Sequence, residues 1–405
     1  MSSKPTTPSF LSAAGNSRHV RYFAFAFFGI ALLISLHIFG PSIGNLSLHR
    51  GQEPDAAVPS DVPIPEPQVE RNYSIPNHLH LLYALKDDTS NFNFQFKNYL
   101  CLYGAVKVWE PEKIYFHTNA GPEALDRGRS GAGGKWSQLI LNHPGLIINH
   151  VELQTNAGNG MEITGMEARS DFARAKVLQE YGGYYIDFDV HALRDIRPLL
   201  RSGYKAIIGI EFGGLINLGV VFTAARSLFI DQWVTGMNAA FDGGYVTHSN
   251  HVGTKIRQHL EGQGNELLVV SQTTFHPVDW TNEGRHELWV NHDFDDGTFT
   301  NNLENHRDGD PLPSFEHEYR ELEQYRWDAP GQEYLKPEWS NWNWRRSYMV
   351  HAFRNHGAHN YEHISPRYVL ERRSEYARMV YPWVWELYRD GIVSIHDDYM
   401  GKVAA

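Results

Sequence analysis

Two aspartates two residues apart, Asp187 and Asp189, carry the most readable chemistry in this chain. They stand in Tyr184-Tyr185-Ile186-Asp187-Phe188-Asp189-Val190, a β-branched and aromatic run that follows Gly182-Gly183, the small residues with which a helix ends. In an extended segment alternate side chains share a face. That predicts Tyr185, Asp187 and Asp189 on one side, with Tyr184, Ile186, Phe188 and Val190 on the other. Two carboxylates converging where a strand leaves its sheet repel each other unless a cation lies between them. Hard oxygen ligands suit Mg²⁺, Mn²⁺ or Ca²⁺ rather than Zn²⁺. An ion held by few carboxylates takes its other ligands from phosphates, so the pair points to an enzyme handling a phosphorylated donor. A second pair, Asp293-Phe294-Asp295, runs into Asp296-Gly297 and reads as an acidic turn.

The element before the pair carries Ala168, Phe172, Ala175 and Leu178 at helical spacing, so one face packs on a sheet. Asp171 and Arg174, three residues apart, meet on its surface. On spacing alone they are a surface ion pair worth ~0.3 kcal/mol. Upstream, strands are expected at His78–Tyr83, Lys113–His117 and Leu146–Leu153, with helices at Asn93–Val108 and Trp136–Asn142 between them. This alternation predicts an α/β fold, a mostly parallel sheet with helices on both faces. Ligands of such sheets collect beyond the carboxyl ends of the strands, where Asp187 and Asp189 fall.

The net charge of −11 over 405 residues excludes a protein that works by wrapping nucleic acid. Cys101 is the single cysteine, so no internal disulfide forms, and a buried structural thiol is expected. Tyr22–Phe39 gives eighteen mostly apolar residues, interrupted by Ser35 and His37. At 1.5 Å per residue they span about 27 Å, enough for a thin bilayer. Lys4, Arg18 and Arg21 precede this run and only Arg50 follows closely. The positive-inside rule then predicts a cytosolic tail at 1–21, a transmembrane signal anchor at 22–39 and a luminal remainder. A cleaved signal peptide is the rival, but the run is longer than the usual apolar core and lacks a small-x-small site. Residues 40–74, with Pro54, Pro59, Pro63, Pro65 and Pro67 among acidic residues, read as an extended stem. Two glycosylation sequons, at Asn45 and Asn72, lie in it. Residues 75–405 are left for the catalytic domain, in a single-pass type II protein of Golgi or ER membrane.

The string Ser170-Asp171-Phe172-Ala173-Arg174, then Leu178, then Tyr181-Gly182-Gly183-Tyr184-Tyr185-Ile186-Asp187-Phe188-Asp189 resembles the glycosyltransferases carrying the sugar-binding region containing DXD motif. That group includes yeast-type initiating α-1,6-mannosyltransferases, inositolphosphoceramide mannosyltransferases and α-1,4-galactosyl- or N-acetylglucosaminyltransferases. Weaker similarity extends over about residues 75 to 360. Ile75-Pro76 with His80 is similar to the family's opening I-P-x-x-x-H, although Tyr83 stands near a common Trp. Ile216-Asn217-Leu218-Gly219-Val220 resembles its asparagine-bearing strand, and Phe275-His276-Pro277 its F-Y-P. Tyr348 to Phe353 is similar to its Y-x-x-H-x-W, with Phe353 in place of the Trp.

The resemblance implies a GT-A fold, Rossmann-like, and a retaining transferase that uses Mn²⁺ (or Mg²⁺). The donor would be a UDP- or GDP-sugar, and the acceptor of its hexose or N-acetylhexosamine a glycan or glycolipid. Asp189 would bind the ion directly, Asp187 would reach it or the ribose hydroxyls, and His351 would be the third ligand. Asp171 and Arg174, with Tyr185 and Asp187, would contact the donor. Asp187, Asp189 and Asn217 would serve catalysis, with Asn217 and Glu211 as candidates for lining the β-face of the sugar. The Trp339, Trp342, Trp344 and Tyr348 region (an acceptor platform, a lid, or plain aromatic core) stays open. Two other functions compete: a metal-dependent phosphoester hydrolase, and a catalytically inactive lectin-like or scaffold protein of the same fold.

Overall fold

A computed structural model describes residues 75–278, 280–281, 288–290, 322–329, 347–353, 363–372 and 374–402. The expected anchor and stem, the Asp293–Asp295 pair and Trp339, Trp342 and Trp344 lie outside the described residues. Among the described residues no helix is long and apolar enough to cross a membrane.

The strands of the main sheet are β1 His78–Leu82, β2 Lys113–Thr118, β3 Leu146–His150, β4 Gly183–Ile186, β6 Ala206–Ile210, β7 Ile216–Thr223 and β8 Leu268–Val270. Two further strands, β5 Val190–Ala192 and β9 Met349–His351, pair antiparallel in a small second sheet. The seven-stranded sheet runs β3-β2-β1-β4-β7-β6-β8. Every strand is parallel to its neighbours except β7, which is antiparallel to both β4 and β6. The mostly parallel sheet expected from the alternation is therefore present, with one reversed strand in its middle.

Helices cover both faces because alternate strand residues are apolar on both. Tyr184 and Ile186 join one core with Leu79, Leu81 and Phe96. That core also takes Tyr376, Val380 and Val384 from the Glu375–Arg389 helix. Tyr185 and Ile208 join the other, with Phe172 and Leu178 of the Met166–Tyr181 helix and Trp233 of the Leu228–Ala240 helix. Burying each such side chain stabilises the fold by roughly 1.5–3 kcal/mol.

The turn between the 166–181 helix and β4 needs its two glycines. Gly182 has φ 62° and Gly183 φ 113°, and a Cβ on either would meet backbone atoms, Ala225 N at 2.5 Å or His78 O at 2.4 Å. The Gly182 carbonyl is held by His80, whose Nε2 lies 2.7 Å away. A carbonyl only accepts, so His80 Nε2 carries the proton and its Nδ1 accepts from His117 Nε2 at 2.9 Å. His117 Nδ1 in turn accepts from the Asn149 amide at 3.0 Å. Both rings are thereby fixed as neutral Nε2–H tautomers, and burial pushes the pKa of each down to about 3. His80 of the opening motif thus braces the joint that launches β4.

Sequence and structure part company at two places near the aspartates. First, β4 ends at Ile186, and Asp187-Phe188-Asp189 form a turn closed by Val190 N–H donating to Asp187 O at 3.0 Å. Strand alternation therefore does not bring the two aspartates together; the turn does. Second, β7 carries a bulge. Its Val221 pairs with Ile208 and its Asn217 with the next residue, Gly209, so Leu218, Gly219 and Val220 have no partner on β6. Bulges next to functional sites re-aim the chain, and this one does so.

Candidate active site

Strands β4 and β6 run the same way, so Asp187 and Glu211, each one residue past its strand end, lie along one edge of the sheet. The β5–β9 pairing sets His351 opposite Val190, and the Ala352 N–H donates to Asp189 O at 2.9 Å. Asp187, Asp189 and His351 consequently offer ligand atoms that all lie within 4.8 Å of one another. His351 Nε2 is 3.1 Å from Asp189 Oδ1.

Asp187 Oδ1 accepts from the Tyr185 hydroxyl at 2.7 Å and faces Arg174 at 3.4 Å. Arg174 also pairs with Asp171 at 2.8 Å, donates to the Leu218 carbonyl at 2.9 Å and lies over the Tyr185 ring at 4.6 Å. The Asp171–Arg174 pair expected on the surface is instead largely enclosed, with side-chain exposures of 17% and 11%. The bulge supplies both carbonyls that matter here, Leu218 O to Arg174 and Gly219 O to the Asp187 N–H at 2.9 Å. A Cβ on Gly219 would stand 2.6 Å from His351 Cε1 and 2.7 Å from Asp187 Oδ2. Only bare backbone fits beneath the cluster.

The electrostatics match a cation site. Burial raises the Asp187 pKa; the Arg174 charge opposes that, and Asp189 adds to it. Burial pushes Asp189 the same way, but His351, His191 and Lys97 outweigh it and hold Asp189 at about 2. Burial would lower the His351 pKa, yet contact with Asp189 and the charges of Asp187 and Glu211 raise it. Two groups of the cluster thus gain affinity for a proton, which is how a desolvated anionic pair answers the need for positive charge. Two carboxylates and one imidazole fit a first-row divalent ion such as Mn²⁺ better than Ca²⁺.

A buried polar network flanks the cluster. Asn217 donates to Glu211 Oε2 at 2.6 Å and accepts from the Gly219 N–H at 2.8 Å; Asn250 donates to Glu211 Oε1 at 3.1 Å. Both ends of the Asn217 amide are occupied, so it holds Glu211 and the bulge in place. Burial lifts the Glu211 pKa to about 7, against the smaller opposing effects of the Asn217 amide, His351 and Asn250.

Cys101 is a buried free thiol, as expected, and lies 3.6 Å from Asp187 O beneath the turn. Tyr348 is 4% exposed and meets Tyr325 edge to face at 5.3 Å, so it belongs to the core rather than to an acceptor platform. Two residues at the site, His248 and Asn250, carry no sequence signal, and His276 was legible only as part of the F-Y-P similarity. His248, in a π-helical turn at Thr247–His251, sits 3.0 Å from Asp171 Oδ2. His276, fully buried, has its ring 5.4 Å from that of His351. The polar run Thr247-His248-Ser249-Asn250-His251 looks like a loop, and no sequence signal marks a π turn.

The glycosyltransferase sugar-binding region containing DXD motif matches this chain over residues 108–205, the stretch holding Asp171, Arg174, Asp187 and Asp189. The match covers about a quarter of the chain and places the Asp187–Asp189 motif within a stretch similar to that region, in a mixed α/β fold. Among solved structures it is similar to the PaToxG glycosyltransferase, at 15% identity over 47% of this chain and 72% of that one, with a TM-score of 0.34. It is also similar to the glycosyltransferase GlyE of Streptococcus pneumoniae, at 9% identity over 49% and 46%, with a TM-score of 0.31. A third is the galactosyltransferase LgtC in complex with donor and acceptor sugar analogs, at 15% identity over 49% and 74%, with a TM-score of 0.30. No curated protein matches the chain.

Proposed function

We propose that this protein is a metal-dependent, retaining glycosyltransferase that moves a hexose or N-acetylhexosamine from a UDP- or GDP-sugar to a glycan or glycolipid. The observation that carries the reading is the convergence of Asp187, Asp189 and His351 within 4.8 Å, beside Arg174, inside a DXD sugar-binding region. Asp187, Asp189 and His351 would hold the ion. When bound, a divalent cation acts as a Lewis acid on a departing diphosphate. Arg174, fixed by Asp171 and the Leu218 carbonyl, supplies the planar guanidinium that suits a phosphate. Its buried Nε finds no hydrogen-bond partner among the described residues. Tyr185 orients the Asp187 carboxylate through its hydroxyl.

Glu211 stands across the bulge with a pKa of about 7, which suits a group that takes or holds the proton of an acceptor hydroxyl near neutral pH. Phe212 follows it directly and meets Trp280 edge to face, and both rings are about half exposed, at 42% and 48%. Sugar rings stack on such faces, so this pair is our reading of the acceptor side. The secretory placement belongs to the same proposal and is supported by the basic residues before Tyr22–Phe39 and the proline-rich stretch after it. A two-metal phosphoester hydrolase needs a second group of converging ligands; among the described residues, Asp187, Asp189 and His351 form the single such group.

The test is a donor screen on the full-length chain. Mn²⁺ is supplied with UDP-galactose, UDP-N-acetylglucosamine, UDP-glucose or GDP-mannose, and nucleotide release is measured. Mn²⁺-dependent turnover of at least one donor, lost in Asp189→Ala, is expected. Turnover of a simple phosphoester but of no nucleotide sugar would move the protein to the hydrolase reading.

A further inference from the structure

The contacts around the site close on themselves. From Asp187 the path runs through its N–H to Gly219 O, from the Gly219 N–H to Asn217 Oδ1, and from Asn217 to Glu211. Glu211 takes a second donor from Asn250. Two residues back along the same π turn, His248 Nε2 donates to Asp171 Oδ2 at 3.0 Å. Asp171 pairs with Arg174, and Arg174 returns to Asp187. The Thr247–His251 turn is the segment that joins the Asp187 side of this ring to the Glu211 side.

Its form suits that role. The His251 N–H reaches Val246 O, five residues back, at 3.0 Å. Single π turns of this kind gather at functional sites. Side chains two apart on a helical turn do not face each other, so His248 serves the 166–181 helix while Asn250 serves the end of β6. The Asn250 carbonyl accepts from Thr254 Oγ1 at 2.7 Å, and that oxygen accepts from the Ile216 N–H at 3.1 Å. The turn is thereby tied to the start of β7, one residue before Asn217.

Packing alone does not account for an imidazole at position 248. The ring is 1% exposed, lies flat on Phe172 at 5.6 Å and meets Phe241 edge to face at 5.2 Å. Its Nδ1 has no hydrogen-bond partner among the described residues. Burying a polar ring for a single polar contact is costly, and an apolar ring of the same shape would fill the slot. What an apolar ring lacks is the Nε2–H that fixes Asp171, and through it Arg174.

We propose that His248 and Asn250 are positioning residues for the nucleotide diphosphate of the donor, the π turn holding Asp187 and Glu211 in register as one unit. This rests on the donor-binding reading of the site. His248→Phe keeps the stack and removes the donor group; His248→Gln keeps an N–H near the place of Nε2; Asn250→Ala cuts the other end.

Calorimetry on the full-length chain measures Mn²⁺–UDP and Mn²⁺–GDP binding, with the melting temperature followed in parallel. Loss of a hydrogen bond to a charged group predicts nucleotide binding weaker by about tenfold or more in His248→Phe, with most of it restored in His248→Gln. Asn250→Ala should weaken it as well, and the double variant should be no worse than the weaker single one, because a ring broken once is already open. A His248→Phe protein that melts earlier but binds nucleotide as the unaltered chain does would overturn the proposal, as would losses that multiply in the double variant. Should His248→Phe not fold, Asn250→Ala decides alone: unchanged binding overturns the proposal. If the unaltered chain binds neither nucleotide, the donor-binding reading itself fails and takes this inference with it.

Discussion

Replacing Gly219 by alanine tests how the bulge builds the site. The residue is not in a left-handed conformation, so alanine meets no backbone strain, and the whole effect comes from one methyl group. That methyl would stand 2.6 Å from His351 Cε1, 2.7 Å from Asp187 Oδ2 and 3.0 Å from Asn217 Oδ1, where ordinary contact begins at 3.4 Å. Relief requires His351 and Asp187 to retreat by about 0.8 Å, or the bulge to move as far the other way. Overpacking of this kind costs about 1–3 kcal/mol, which in a domain of this size lowers Tm by roughly 1–4 °C. The functional loss should be larger, because a misplacement near 1 Å at a reacting centre costs about 100-fold. The assay pairs Mn²⁺ titration of nucleotide release from the donor found active with a melting curve. Gly121→Ala, whose added methyl meets nothing nearer than 3.6 Å, is the control and should behave as the unaltered chain. Normal Mn²⁺ affinity and turnover in Gly219→Ala would refute the claim that bare backbone beneath the cluster is required.

Three other outcomes follow from the same geometry. Glu211 has its folded-state pKa raised by burial from 4.5 to about 7, so the folded protein holds that proton more tightly than the unfolded chain. The stability penalty is absent below about 4.5 and grows until about pH 7, reaching about 3 kcal/mol; Glu211→Gln should flatten this slope in denaturant titrations across that window. His80→Leu leaves the Gly182 carbonyl and the His117 ring each short of a partner, at about 1–3 kcal/mol apiece; a lowered Tm with nucleotide affinity largely kept is expected, and an unshifted Tm would contradict the bracing role. Phe212→Ala or Trp280→Ala should raise the acceptor KM severalfold while donor hydrolysis in water stays unchanged, and equal losses in both would move the pair out of the acceptor side.

The parts of this architecture written in local sequence were the legible ones. The 166–181 helix, its diglycine stop and the strand after it follow from periodicity and from glycines that must adopt positive φ. The aspartates were legible as a pair, yet the reason they converge was not. Alternation describes an unbroken strand, whereas the chain turns at Asp187 to enter β5. Asp171–Arg174 was legible as a contact but not as an enclosed one, since burial depends on a π turn some 75 residues downstream. His351 came from family similarity alone; its approach to Asp189 is set by the β5–β9 pairing, which no local pattern in Tyr348–Phe353 encodes. The β7 bulge was invisible for the same reason: register is settled between strands, and Leu218-Gly219-Val220 by itself reads as ordinary strand.

Mn²⁺ binding followed by electron paramagnetic resonance tests the central claim most directly, with and without UDP or GDP, in the unaltered chain and in Asp189→Ala. One tight site per chain is expected, strengthened by a nucleotide diphosphate and removed by Asp189→Ala. An unaltered Mn²⁺ site in Asp189→Ala, or one indifferent to both nucleotides, would contradict the claim.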